Sequence, residues 1–438
     1  MIRRASFALL AASLLGAAPD RTGETEIARW PRGKRAALSL TFDDGSINQF
    51  RNAVPILDEL GFPATFFIIT GDVLASRYHG TFTGRDPQAI VRETAEVPTG
   101  KDNLFERASA IGHLGLKGAL DHHSRAGELY EDGKLEEAYR TIDEGYAKVR
   151  AGAFAPRSEP GAEAGRDRLT WDQLRALARR GHEVASHTVT HPRLAVLDEP
   201  NLVYELEKSR QEILDQVGPK HTFSVECPYG TEDERAVAHA LARYPAARNR
   251  MPEPFLEELN RGSQADPAAS GKEYVQWQRG PLTRTPMPLM KSWIDLIGGR
   301  DNIWLVLVFH GVDGIGWEPK TSAELREFFD YVKSHESRLW VATFQDVTKY
   351  MRERMHSVVD ARPNGAAIEV SLRHDLDRDL YDLPLTLKTR VPDRWLAARV
   401  SQGASVQPVE IERDGGRGWA TYQAMPNAET VILAEARP

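Results

Sequence analysis

The 438-residue sequence holds one cysteine, Cys227, so no internal disulfide can form. It also lacks an excess of positive charge. Its 56 lysines and arginines stand against 63 aspartates and glutamates, for a net charge of −7. That balance, without a strongly basic patch, argues against nucleic acid as a main partner. Membrane spans are not expected either. The apolar run Ala5–Leu15 is far shorter than a bilayer-crossing helix. It follows Arg3 and Arg4 and precedes Gly16-Ala17-Ala18, the layout of a secretory signal over residues 1–18. An exported protein, periplasmic or secreted, is therefore expected.

What is present is an ordinary globular composition, 41% hydrophobic and 27% charged. The length suits one large α/β domain with a smaller partner. Ala36–Phe42 reads as a strand, Ile47–Leu60 as a helix stopped by Gly61, and Ala64–Ile69 as a second strand. A β-α-β opening predicts a parallel sheet. Further strands are expected at Glu183–Ser186, Thr222–Val225, Ala246–Arg248, Trp304–Phe309 and Leu339–Phe344, about seven in all. Helices are expected between them at Leu169–Arg180, Leu202–Val217 and Ser322–Ser334. The gap before Glu183 is far longer than a usual connection, and Leu135, Ala138, Tyr139, Ile142 and Tyr146 mark a helical face within it. Residues 78–165 thus read as a helical insertion in a distorted (β/α) barrel over residues 30–356. Residues 357–438 carry short β segments punctuated by Gly, Pro and Asp, which predict a small sandwich-like β module.

The chemistry gathers at strand ends. The first strand runs through LSLTFDDGS, residues 38–46, into the adjacent carboxylates Asp43 and Asp44. Neighbouring carboxylates repel, and each resists burial unless a cation is close. Glu183–Ser186 runs into HTVTH, where His187 and His191 stand four apart. That spacing can bind one divalent metal, although Pro192 favours a turn or loop over a helix. Thr222–Val225 runs into ECPYG and Trp304–Phe309 into HGVDG. In a parallel barrel such loops meet on one face.

TFDDG (41–45), HTVTH (187–191), PYG (228–230) and the apolar strand ending in His310 resemble, in kind and order, the polysaccharide deacetylases of carbohydrate esterase family four. The resemblance covers most of residues 36–350 and leaves out the insertion and the β tail. It implies a metal-dependent hydrolase that removes acetyl groups from carbohydrate, with Asp44, His187 and His191 as ligands of one divalent ion, zinc by its donor set. It further implies Asp43 as the base that, with the metal, activates water, and His310 as the acid that protonates the leaving group. Tyr229 takes the position whose backbone N–H supports the oxyanion. Two alternatives remain: an O-acetyl esterase on a xylan-like polymer, and a carbohydrate-binding protein without turnover. Trp317, Trp277 and Tyr274 could stack on sugar rings or simply pack in the core, and His122-His123 in the insertion reads as solvated.

The sequence departs from the family twice. Glu226 stands two residues before Pro228, where the family often has arginine, and no acidic-tryptophan element is recognisable between Arg248 and Arg284. A glutamate beside Asp43 would require a compensating cation. YPAAR reads as a short strand that delivers Arg248 to the same face, so Arg248 is expected to hold Asp43 and Glu226 in one charged network.

Overall fold

The computed structural model describes residues 21–156, 168–230 and 233–436. The expected signal segment lies outside them. The chain forms two compact units. The larger comprises residues 29–356 and 375–385; the smaller comprises residues 21–28, 357–374 and those from 386 onward.

Among the described residues of the larger unit nine strands pair in parallel as a half-barrel. From one edge the order is Ala246–Ala247, Ser224–Val225, Glu183–Ser186, Thr65–Ile68, Ala36–Phe42, Ile303–Phe309, Tyr274–Arg279 and Leu256–Leu259. Leu339–Val341 lies along the first half of Ala36–Phe42. Each residue of Ala36–Phe42 is buried, as expected of a central parallel strand covered on both faces. Alternation sends Leu38, Leu40 and Phe42 into a core shared with the helices Val54–Leu60 and Ser322–Ser334, while Ala37 faces Trp304 and Phe344.

Two strands escaped the sequence pattern. Leu256–Leu259 is short and half acidic, and Tyr274–Arg279 (YVQWQR) carries Gln276 and Gln278 inward, where the amide of Gln278 donates to Oε1 of Gln276 at 2.8 Å. Buried glutamines look like solvent positions in a sequence, and here one bond joins the pair while Nε2 of Gln276 and Oε1 of Gln278 find no partner among the described residues. The segment expected as strand to Phe344 ends at Val341, and Phe344 opens the helix Phe344–His356. The helix expected over Ile47–Leu60 begins with a π turn, Gln49–Ala53, before Val54–Leu60.

The insertion holds the helices Pro87–Glu93, Leu104–Gly112, Ala119–Glu131 and Leu135–Arg150 around a core of its own, including Ile90, Ile111, Ala126, Ile142 and Tyr146. His123 belongs to this interior. It is 1% exposed, its Nδ1 lies 2.9 Å from the carbonyl of Ala108, and its Nε2 accepts from the backbone N–H of Arg193 at 3.1 Å. The solvated reading of His123 is therefore corrected: a helix-hairpin histidine whose two nitrogens both find backbone partners can be buried neutral.

In the smaller unit the C-terminal segments form one eight-stranded antiparallel sheet of barrel-like course. The sandwich-like packing expected of them takes the form of this continuous sheet. Alternating burial along Ala367–Arg373 and Arg417–Ala424 gives it one packed face. Its edge includes Thr25–Ile27, paired with Leu387–Thr389.

Candidate functional site

The ends of five strands, Ala36–Phe42, Glu183–Ser186, Ser224–Val225, Ala246–Ala247 and Ile303–Phe309, meet on one face of the half-barrel. Ala36–Phe42 stops because Asp44 and Gly45 turn the chain with φ of 72° and 77°. Aspartate tolerates this left-handed region better than most residues, and glycine does so freely. At Gly45 a side chain would also crowd Ile68 and Leu169, at 3.1 and 3.3 Å. The turn separates Asp43 from Asp44.

Asp44 turns toward the HTVTH loop. Its Oδ1 lies 3.6 Å from Nε2 of His187 and 3.5 Å from Nε2 of His191. The loop is no helix: Thr188 and His191 have φ of 67° and 59°. Buried Glu205 anchors it, accepting from the backbone N–H groups of Val189 and Thr190, both at 2.8 Å, and from the Thr190 hydroxyl at 2.6 Å. Sequence reasoning missed Glu205. Its signal was an acid among Leu202, Leu206 and Ser209 on the inner face of a helix. The backbone carbonyl of Glu226 lies 2.9 Å from Nδ1 of His187, which leaves Nε2 with its lone pair toward Asp44.

These three side chains bring their donor atoms within 4.8 Å of one another. Two donors held about 2.0–2.2 Å from one ion at a tetrahedral angle stand roughly 3.3–3.6 Å apart. The observed separations fit. So does the electrostatics. Burial lowers the pKa of His187 to about 4 and of His191 to about 3, so both rings are neutral, as ligands must be. Burial, reinforced by Asp43, raises Asp44 to about 7. Its ion-pair-range neighbours among the described residues are the two histidines. A divalent cation would supply the charge that keeps it ionised.

Asp43 turns the other way, into a dry charged network. Burial opposes its ionisation, but the Arg248 guanidinium beside it overcomes that penalty and holds its carboxyl well below the usual range. Arg248 donates to both oxygens, at 2.9 Å to Oδ1 and 2.6 Å to Oδ2. The same guanidinium reaches Oε1 of Glu226 at 3.0 Å and the Thr41 hydroxyl at 2.8 Å, and it lies 4.7 Å from the Phe67 ring centroid. Glu226 is 1% exposed, and burial raises its pKa to about 7 despite Arg248. The arginine absent from the ECPYG segment is thus replaced from the next strand end.

His310 faces Asp43 across the site, Nε2 to Oδ2 3.6 Å. Burial lowers its pKa to about 4. Gln49, another residue the sequence reading missed, donates its amide to the backbone carbonyls of Asp43 at 2.6 Å and His310 at 2.7 Å, tying the two strand ends together. The π turn presents it. Trp317 is 54% exposed and meets His310 edge-on at 4.6 Å, whereas Trp277 and Tyr274 are core residues. Tyr229, at φ 64° in the Pro228–Gly230 turn, lays its ring 4.7 Å from that of His191, with Arg193 4.3 Å over it. Asp43, Asp44, His187, His191, Tyr229, Arg248 and His310 therefore converge on this face.

Residues 31–113 and 130–247 match the family model described as polysaccharide deacetylase. A curated relative, a gellan lyase from a Bacillus species, is 28% identical over 281 residues. The match covers 60% of this chain and 11% of that protein, so the chain spans only a small part of the relative's length. Among solved structures, a protein described as a polysaccharide deacetylase from Mycobacterium smegmatis shares 15% identity. That alignment covers 75% of this chain and 94% of the other, at a TM-score of 0.37. A peptidoglycan deacetylase from Bacillus subtilis shares 12%, over 74% and 95%, at 0.34. The match lies within the larger unit, and that part of the chain is similar to the polysaccharide deacetylase family.

Proposed function

We propose that this protein is an exported, metal-dependent hydrolase that releases acetate from an acetylated carbohydrate, with the N-acetyl amide as its first substrate class. The observation that carries the reading is the pairing of the Asp44–His187–His191 cluster with an ionised, arginine-held Asp43. A divalent ion such as zinc, bound there, would polarise the acetyl carbonyl and make water more acidic. The protein's own groups supply the rest. Asp43, kept unprotonated by Arg248, accepts the proton of the attacking water. His310, 3.6 Å from Asp43 and neutral at rest, can relay the proton that Asp43 takes from water to the departing nitrogen as its bond to the acetyl carbon breaks. The Pro228–Gly230 turn lies beside the cluster, which supports the backbone N–H of Tyr229 as the oxyanion donor. Trp317 offers an exposed ring next to His310 for a sugar face.

A Glu226 that disabled the base would favour a binding protein without turnover. With Arg248 reaching both Glu226 and Asp43, that residue no longer speaks for a disabled base. The test is acetate release from a panel of N-acetylated and O-acetylated glycans, before and after chelation and with zinc restored. Release that falls on chelation and returns with zinc is expected. No release from any substrate would remove the proposal, and release from O-acetyl substrates alone would reassign it to an esterase.

A further inference from the structure

We propose that the insertion and the Pro228–Gly230 turn form a second sugar-binding subsite, which takes a further unit of the glycan chain whose acetylated unit occupies the Asp44–His187–His191 cluster. The inference rests on the deacetylase reading and extends it from a single acetylated sugar to a chain.

A cleft of about 810 Å³ opens between the insertion and Gly230. That size is within the roughly 300–1,000 Å³ range of ligand sites. Its walls carry three aromatic rings, Phe105, Tyr130 and Tyr139, together with Leu104 and Leu135. Lys101, Glu131 and Asp233 supply charge around them. A pyranose has the matching character: flat C–H faces that lie on aromatic rings, and a girdle of hydroxyls that bonds to charged side chains.

The rings are fixed in place. Phe105 meets Tyr130 edge-on at 5.4 Å, and the Arg235 guanidinium sits 4.7 Å from the Phe105 centroid. Arg235 is itself held by the backbone carbonyl of Leu197 at 2.7 Å. Ile142 and Tyr146 bury the inner face of the Leu135–Arg150 helix in the insertion's own core, yet Leu135 is 42% exposed and Tyr139 only half-buried. At the cleft the helix therefore presents an exposed Leu135 beside Tyr139, which packs against that core on one side and lines the cleft with the rest of its ring.

The occupant follows from continuity with the catalytic face. Gly230 lines the cleft and is the next residue after Tyr229, whose ring lies against His191. Arg193, stacked on Tyr229, pairs with Glu131 of the cleft at 2.5 Å. A track runs from the cluster over Tyr229, past the Arg193–Glu131 pair, to the aromatic walls. A glycan with one unit at the cluster would extend its next units along it.

The experiment compares kcat/KM for acetate release from acetylated chito-oligosaccharides and xylo-oligosaccharides of one to six units. It uses the full chain, loaded with zinc. Wild type is expected to gain with length. Tyr139→Ala should cut the six-unit to one-unit ratio by roughly two- to tenfold, the scale of one aromatic stack, and Tyr139→Phe should restore it. Leu135→Glu, which puts a charge in the cleft at an exposed position, should cut the ratio as well, even if Tyr139→Ala fails to fold. A flat length dependence in wild type, or a length gain kept by Tyr139→Ala and Leu135→Glu, overturns the subsite. Calorimetric titration with the unacetylated hexasaccharides separates the two proposals. Binding weakened by Leu135→Glu in a protein that releases no acetate would sustain the subsite and sink the deacetylase reading; no binding of either hexasaccharide would sink the subsite itself.

Discussion

Asp43 and Asp44 are consecutive in sequence, yet the regions around them differ in kind. On the Asp43 side lie a guanidinium, a second buried carboxylate and His310, so the charge is set by the protein itself. On the Asp44 side lie two imidazoles that burial keeps neutral, so the protein leaves the charge to be completed from outside. One left-handed turn at a strand end makes the difference. It lets two adjacent acids be pushed in opposite directions, Asp43 below the usual carboxylate range and Asp44 up to about 7. Pairs of like groups driven apart in this way mark divided roles in catalysis.

The sharpest way to break that comparison is to substitute each acid by its amide. Asp43→Asn should lower kcat by about 10²-fold or more, the scale of general acid–base catalysis, and still retain zinc by elemental analysis. Asp44→Asn and His191→Ala should lose the zinc as well as the activity. An Asp43→Asn protein with full activity, or an Asp44→Asn protein with its zinc, would merge the two roles.

The Arg248 network separates next. Removing one partner of a buried ionic group leaves the others uncompensated, so Arg248→Ala should lower stability by about 3–5 kcal/mol in denaturant titration and reduce turnover with it. Glu226→Gln keeps the shape and leaves Arg248 wholly to Asp43. Its kcat should stay within roughly tenfold of wild type. A loss as deep as that of Asp43→Asn would instead name Glu226 as the base.

A smaller effect concerns the insertion. Burial lowers His123 to about 4 from its ordinary 6.5, and the neighbouring His113 and Arg193 oppose its protonation further. Because the folded pKa lies below the unfolded one, the stability tied to neutral His123 is present above pH 6.5 and is lost as pH falls toward 4. The loss is roughly 3 kcal/mol at most, at 1.36 kcal/mol per unit. Protonation at Nε2 also removes the acceptor for the Arg193 N–H. Hydrogen exchange at Arg193 should therefore speed up across that window, and His123→Gln should flatten the response.

The strands that bear the site were legible because a buried parallel strand is an unbroken apolar run, and a polar residue at its end stands out. Asp43, Asp44 and His310 follow such runs. The histidine pair was legible as a spacing, but the loop that shapes it was not, because its hold on Glu205 joins residues about fifteen apart on different elements. Arg248 could be anticipated from Glu226, since a buried carboxylate beside another must find a cation. Gln49 could not, because nothing in an apolar-spaced helix announces a π turn. Tyr274–Arg279 failed for the opposite reason: its glutamines are buried and bonded to each other inside the protein, and a pattern of alternating polarity cannot say so.

The strand Thr25–Ile27 carries a consequence for how the chain is made. Thr25 bonds Thr389 at 2.9 Å across 364 residues, so the larger unit is inserted within the sequence of the smaller one. During synthesis this strand emerges well before its partner, 364 residues on. The half-barrel can close and bury its core in the interval, because its own strands lie between. Thr25–Ile27 meanwhile waits as an unpaired edge, open to other strands. Loop closure over so long a span is slow to find, and the eight-stranded sheet is completed only when the strands from Leu385 to Glu435 arrive. Refolding experiments should show two phases, with fluorescence from the buried tryptophans of the half-barrel recovering before protection of the amides in Leu387–Thr389.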